Sequence, residues 1–400
     1  MKTISSNVRF TGALPPLSIY IHIPWCVHKC PYCDFNSHER PSEGIPEEAF
    51  LRALEEDLIY NLPHIWGRSI ISVFIGGGTP SLLSVAAIDR ILQILRNLLN
   101  ISSDIEITME ANPATFESEK FASYRSSGIN RLSIGVQSFN NEHLKALGRI
   151  HDSDDAVRSA EIAHKHFENF NLDLMYALPN QSVENSISDL QMALKLDSTH
   201  LSMYQLTLEP NTVFAKFPPP RMPSDDDIIN MEEALVDIAD AHGFKRYEVS
   251  AYAKHGWQCS HNRNYWEFGD YLGIGPGAHS KISFHDRIVR EVRERHPMRW
   301  MEKVLSGEKG EKGEKGAQII ESRSVGVHEL PFEFMLNALR LREGVPTHYF
   351  EERCGVSIAV LLPLLEEAVK KGLMSELPTE LRATELGWNY LNNLQEIFLI

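Results

Sequence analysis

Over the first 250 or so residues, short β-rich runs alternate with longer amphipathic stretches, and this rhythm limits the possible folds more than any other feature. The β-like runs are Ser18–Ile23, Ser72–Ile75, Asp104–Glu110, Arg131–Val136, Asn171–Tyr176, His200–Leu206 and Tyr247–Tyr252. Between them, Glu47–Leu62, Ala86–Leu98, Ser118–Ser126, Asp154–Phe167, Glu184–Leu194 and Asp226–His242 carry apolar residues at helical spacing. Strand–helix alternation predicts βαβ units and a parallel sheet, hence an α/β fold. Six or so repeats are too few for a closed eight-stranded barrel, so a partial (β/α)6 barrel is expected. Ligand sites in such barrels lie at the C-terminal ends of the strands. Local punctuation agrees: Ser84 is placed to cap the helix that follows it, and Gly128 to stop the helix before it.

The first β-like run leads into Cys26-Val-His-Lys-Cys30-Pro-Tyr-Cys33, which gathers three of the chain's five cysteines into eight residues. A cubane iron–sulfur cluster is ordinarily held by four cysteine thiolates. Three at C-x3-C-x2-C spacing would leave one iron open, and an open position separates a working metal site from a closed structural one. Three other readings stay open on spacing alone: structural thiols, part of a disulfide, or a zinc site completed by His22, His28 or His38. Zinc sites more often pair two short modules, and no second module is present.

With Tyr32 before its last cysteine, the motif resembles the signature of radical S-adenosylmethionine (SAM) enzymes. The longer string from Tyr20-Ile-His-Ile-Pro-Trp-Cys26 to Asn36 is similar to the oxygen-independent coproporphyrinogen oxidase group, which includes a heme-chaperone branch. The likeness runs over nearly the whole chain. It implies a radical-SAM barrel of (β/α)6 type, a [4Fe-4S] cluster on Cys26, Cys30 and Cys33, and SAM bound to the open iron through its amino and carboxylate groups. Phe74-Ile-Gly76-Gly77-Gly78-Thr79-Pro80 ends the second strand, and glycines there let backbone acceptors reach a ligand closely. The resemblance assigns Gly77, Gly78 and Thr79 to SAM. It also assigns Tyr20, Tyr32, Glu110, Gln137, Arg149 and Asp173, with Tyr20 and Tyr32 flanking the cluster. From the residues themselves, Arg149 offers a fork suited to a carboxylate. Asp173 lies in an apolar strand, where a carboxylate needs a hydroxyl, amide or cationic partner.

Two departures favour the chaperone branch. The oxidase pattern continues with a further cysteine two residues after the third, where this chain has Phe35. And His261-Asn262-Arg-Asn-Tyr265-Trp266 resembles the heme-binding motif of the chaperones. That likeness makes His261 the axial-ligand candidate and Tyr265 a second contact, with Trp266 and Tyr271 available to line a porphyrin face. His279 is the weaker alternative, and Cys259 reads as a buried thiol. The expected function is therefore a heme chaperone that passes heme to an acceptor apoprotein, with a respiratory membrane enzyme as the candidate acceptor. Oxygen-independent coproporphyrinogen oxidation is the alternative, so enzymatic turnover is left open.

The rest of the chain sets bounds. With 43% hydrophobic residues in 400, it can bury a large core. Thirty-nine basic against 54 acidic residues give a net charge of −15, which argues against nucleic acid as a partner. No apolar run is long enough for a transmembrane helix. The polar stretch Met1–Ala13 lacks the apolar core of a signal peptide, and free thiols fit a reducing compartment, so a cytoplasmic location is expected. Composition shifts near residue 290, where arginine and glutamate crowd Arg287–Arg299, followed by Gly-Glu-Lys triplets from Gly307 to Gly316. The expected organisation is a tail at 1–16, the barrel at 17–290, a flexible linker at 291–325 and a small helical, winged-helix-like domain at 326–400. Helices are expected there over Pro331–Arg342, Ile358–Lys371 and Glu385–Ile397, with a turn and strand near Leu373–Thr384.

Overall fold

The computed structural model of the protein describes residues 7–113, 118–307, 316–376 and 379–399. The triplet repeat at 308–315 lies outside the described residues.

Six βα units follow one another as the alternation predicts. They comprise β1 (Leu17–Ile23), α1 (Glu47–Ile65), β2 (Ser69–Gly77), α2 (Val85–Leu98), β3 (Asn100–Ala111), α3 (Ser118–Ser127), β4 (Arg131–Gln137), α4 (Ser153–His166), β5 (Asn169–Tyr176), α5 (Val183–Lys195), β6 (His200–Gln205) and α6 (Asp225–Ala241). The strands β1 to β6 pair in parallel, each with the next in sequence. This is the expected partial barrel. The helices start where side chains can take the orphaned backbone donors of the first turn. Ser84 accepts from the Ala87 amide at the head of α2, and Asp152, Ser182 and Ser224 form capping boxes at α4, α5 and α6. After α3, Gly128 takes a φ of +119°, the left-handed stop that glycine tolerates. On α2, Ile88, Ile91, Leu92 and Leu95 are buried against the sheet, which is what anchors a helix with one apolar stripe.

Beyond α6 the structure departs from expectation. The seventh run, Tyr247–Tyr252, does not continue the parallel series. The chain turns back as two short strands, β7 (Lys245–Arg246) and β8 (Ala251–Ala253); β8 pairs antiparallel with β6, and β7 pairs antiparallel with β8 at the sheet edge. No helix separates them, so no parallel crossover is available. The helix α7 (Ser260–Trp266) then leads to β9 (Asp270–Ile274), which pairs in parallel with β1 on its other side.

The expected break at 290 falls inside a strand. The hairpin of β10 (His279–Phe284) and β11 (Arg287–Arg293) extends the same sheet, α8 (Pro297–Leu305) packs beside α1, and β12 (Ile319–Ser324) forms the edge. The full order is β12-β11-β10-β9-β1-β2-β3-β4-β5-β6-β8-β7. So the segment expected as linker carries two strands and a helix among its described residues. Its charges misled because one of them is buried. The Arg293 Nε sits 2.8 Å from Asp57 Oδ2 on α1, with both side chains sealed from solvent, and Gln318 reaches the other Asp57 oxygen at 3.3 Å.

The C-terminal part holds its own core, built around Phe334, Phe350, Leu365 and Phe398. Its helices are α9 (Leu330–Ala338), α10 (Tyr349–Cys354), α11 (Leu362–Lys370), α12 (Glu385–Asn389) and α13 (Leu391–Glu396), and Val345–Pro346 pairs with Glu380–Leu381. The helix expected over Glu385–Ile397 breaks at Tyr390, and α10 was not expected. Val8 and Phe10 of the presumed tail are buried in this same core. The Arg9 amide bonds Gly355 O at 2.7 Å and that of Phe10 bonds His285 O at 2.9 Å, so residues 8–10 tie the two cores together.

Removing one partner of a sealed ion pair leaves an uncompensated charge in the interior. Asp57→Ala is expected to cost about 3–5 kcal/mol of stability. Denaturant unfolding should show this as a lower midpoint; an unchanged midpoint would mean that Arg293 finds another partner.

Candidate functional site

At the end of β1 the chain leaves the sheet as a loop whose two ends are stitched together. Trp25-Cys26 pairs with His38-Glu39, and the His38 and Arg40 amides bond Pro24 O and Cys26 O at 2.7 and 2.9 Å. The Gly78 and Thr79 amides, at the end of β2, bond Ile23 O and Trp25 O at 2.7 and 2.8 Å. A Cβ on Gly78 would stand 2.6 Å from Trp25 O, and one on Gly77 2.5 Å from the His22 ring, so neither position tolerates a side chain.

This frame presents Cys26, Cys30 and Cys33, all unpaired and half-buried, to one cavity of about 760 Å3. Each sulfur has a polar neighbour. The Thr79 hydroxyl lies 3.6 Å from Cys26 Sγ, Arg149 Nη1 3.8 Å from Cys30 Sγ, and Ser37 Oγ 3.6 Å from Cys33 Sγ. Burial pushes the Cys26 and Cys33 thiols up, so without a metal they hold their protons, and metal binding must displace them. Among the described residues no three His, Cys, Asp or Glu side chains converge on a single ion. The three thiols line one cavity, and ligands to separate irons of a cubane need not converge on a single ion.

The same cavity collects the strand-end residues. Tyr32, Gly77, Gly78 and Thr79 line it beside the cysteines. Glu110, Gln137, Arg149 and Asp173 line it as well. Glu110 Oε2 accepts from the Gly77 amide at 2.9 Å, and burial, reinforced by Asp173, raises its carboxyl to about 7. Asp173 has the partners its strand demands: Ser133 Oγ at 3.0 Å and Asn171 Nδ2 at 2.8 Å. Arg149 donates to Gly135 O at 2.8 Å, while its Nε has no partner among the described residues. Gln137 adopts a φ of +68°, a left-handed backbone that a non-glycine residue takes only where its surroundings impose it.

Tyr20 is placed elsewhere. It faces a second cavity, of about 730 Å3, with its hydroxyl 3.0 Å from His22 Nδ1 and its ring stacked on Phe74 at 6.2 Å. His261, Tyr265, Trp266, Tyr271 and His279 line this second cavity. Cys33, Phe35, Phe74 and Asn262 line both, so the two spaces share a wall.

His261 sits in the first turn of α7, whose N-terminus is held by Glu106 of β3. That carboxylate accepts from the Ser260 and His261 amides, both at 3.1 Å, and from the Cys259 thiol at 3.4 Å. A carboxylate there is favoured by the helix dipole. The imidazole is buried, which with the nearby Arg131 charge lowers its pKa to about 3, so it is neutral at physiological pH. Its Nδ1 lies 3.0 Å from Ser72 Oγ, which is 2.7 Å from Ser18 Oγ, which in turn accepts from Asn264 Nδ2 at 2.9 Å. A ring nitrogen fixed in this way leaves the other free for a metal, the arrangement that orients metal-binding histidines generally. Cys259 is fully buried and its thiol is pushed up to about 12 by that burial, as expected of an inert thiol.

Glu106, Ser72, Ser18 and Arg131 were not singled out in the sequence. One signal was available for Glu106: in Glu106-Ile-Thr108-Met-Glu110 polar residues recur at every second position, all turned to the same face of β3.

Comparison with known proteins completes the picture. Residues 20–192 match the radical SAM superfamily and residues 327–390 the HemN C-terminal domain. The heme chaperone HemW of Escherichia coli is 46% identical over 96% of this chain and 99% of its own length. HemW of Haemophilus influenzae is 44% identical over 96% and 98%, and that of Bacillus subtilis 35% over 92% and 96%. Among solved structures, the coproporphyrinogen III oxidase HemN of Escherichia coli, described as a radical SAM enzyme, superposes with a TM-score of 0.80 at 23% identity, covering 96% of this chain and 90% of that one. That likeness speaks for the fold alone.

Proposed function

The chain belongs to the heme chaperone HemW family of radical SAM proteins, and on that premise we propose that it carries heme on His261 for delivery to an acceptor apoprotein. Cys26, Cys30 and Cys33 hold a [4Fe-4S] cluster whose fourth iron takes SAM. The cluster, when bound, supplies a redox-active metal with one exchangeable position. Gly77, Gly78 and Thr79 offer backbone and hydroxyl groups to the amino acid part of SAM. Glu110 accepts from its ammonium or ribose, Asp173 from ribose hydroxyls, and Arg149 provides the fork for its carboxylate. Gln137 and Tyr32 close the cavity around it. Tyr20 stays with the heme cavity, where its ring adjoins Phe74. The acceptor is proposed to be an apoprotein that needs heme, such as a respiratory membrane enzyme, and the site of action the cytoplasm. No helix among the described residues is long and apolar enough to cross a membrane.

The observation that carries this reading is a neutral, buried imidazole with one nitrogen anchored on Ser72, opening on a cavity that shares a wall with the thiol cavity. Neutral imidazole is the common protein ligand of heme iron. Phe35 favours the chaperone over the oxidase, because the oxidase pattern has a cysteine there.

Titration of the reconstituted protein with heme should give a Soret band that is lost in His261→Ala, while circular dichroism shows the fold intact. An unaltered band in that variant would overturn the assignment. A second expectation concerns pH. Only the ionised Glu110 carboxylate attracts the cationic SAM, and its pKa is raised to about 7. Below pH 7 the group is increasingly protonated, so SAM should bind more weakly at pH 6 than at pH 8. Glu110→Gln should flatten that dependence; a wild-type affinity independent of pH would contradict the role.

A further inference from the structure

The lining of the second cavity has an aromatic part and a cationic part. Phe74, Tyr265, Trp266 and Tyr271 offer aromatic surface suited to a flat ring system. Lys29, from the cysteine loop, and Arg295, from the chain just after β11, are the cations of the same lining. Neither cation is matched by a carboxylate. Lys29 Nζ is held by two backbone carbonyls, Phe35 O at 3.1 Å and Ser37 O at 3.2 Å, which position it without cancelling its charge. An ammonium has three donors, so one remains for a ligand. Arg295 makes no ion pair among the described residues. The nearby Glu294 is taken by Lys303 at 2.8 Å and Glu39 by His28 at 3.0 Å. Among the described residues Asp34 is the one carboxylate lining this cavity, against the two cations. In a chain with a net charge of −15, a cavity with excess positive charge is a local exception.

A planar aromatic ligand with two carboxylates on one edge would complement both parts. Building on the heme reading above, we infer that Lys29 and Arg295 clamp the two propionates of the porphyrin. Heme then enters with its propionate edge toward the cysteine loop and its ring over the aromatic surface. The clamp selects for the dianionic porphyrin: a ring of equal size without free carboxylates keeps the aromatic contacts and loses both ion pairs. Arg295 supplies a planar fork that fits a carboxylate, and Lys29 a point charge. Both residues are exposed at the cavity rim, so each contact is worth a modest amount and is weakened by salt.

The test crosses ligand charge with protein charge. Reconstituted full-length protein and its Lys29→Gln/Arg295→Gln variant are titrated with ferric heme and with heme dimethyl ester, which has the same ring and iron but no propionate charge, in one detergent buffer at low salt. The expected result is a Kd for heme about tenfold higher in the double variant, with the ester bound equally by both proteins. Iron and sulfide contents are measured alongside. If Lys29→Gln lowers them, Arg295→Gln alone, far in sequence from the cysteines, must show part of the loss for heme and none for the ester. Equal heme affinity in wild type and variant, or an equal loss for the ester, overturns the clamp while a His261-dependent Soret band keeps the heme reading standing. Absence of that band in the wild type overturns both.

Discussion

Two backbone hydrogen bonds fasten the end of the second strand to the loop that follows the first: Gly78 to Ile23 and Thr79 to Trp25. They form only because no side chain stands at Gly77 or Gly78, where the His22 ring and the Trp25 carbonyl already fill the space. Everything that the site presents depends on this close approach. It fixes the cysteine loop over the C-terminal ends of the strands and brings the Thr79 hydroxyl to the Cys26 sulfur. It also turns the Gly77 amide onto Glu110. A larger residue at either glycine would have to push the loop away from the barrel, separating the thiols from the strand-end residues beneath them.

The barrel interior is polar where a soluble core is usually apolar, and its groups are largely spent on one another. Glu106 holds the α7 N-terminus, Asp173 is bonded by Ser133 and Asn171, and His261 is bonded by Ser72. Satisfied buried polar networks rigidify, and here they hold side chains that must face a ligand in one orientation. Among the groups left without a hydrogen-bond partner or counter-charge, the Arg149 Nε in the thiol cavity and the unmatched cations of its neighbour face space that a ligand could fill. The shared wall of Cys33, Phe35, Phe74 and Asn262 sets the two cavities side by side, so cluster and heme would be neighbours without sharing a binding space.

Much of this was legible in the sequence, because period and spacing are local properties. Strand and helix alternation gave six βα units, and the three-cysteine loop, the glycine turn and the carboxylates at strand ends stood out by their residue types. What escaped depends on partners far along the chain. Arg293 read as part of a solvated, charged segment, yet its partner is Asp57, 236 residues earlier, and the strand around it belongs to the main sheet. Glu106 acts on α7 from 155 residues away. Tyr20 was associated with SAM by the resemblance. Its strand gives the face its ring takes but not which of two adjoining cavities that face lines, which depends on the packing of distant segments around it.

The most direct test of the account is analysis of anaerobically reconstituted protein for iron and sulfide, joined to electron paramagnetic resonance of the reduced protein with and without SAM. Three thiolates around a cubane predict about four of each element per chain, and a signal that shifts when SAM occupies the open iron. Protein that takes up neither iron nor sulfide, or a cluster signal indifferent to SAM, would contradict the account.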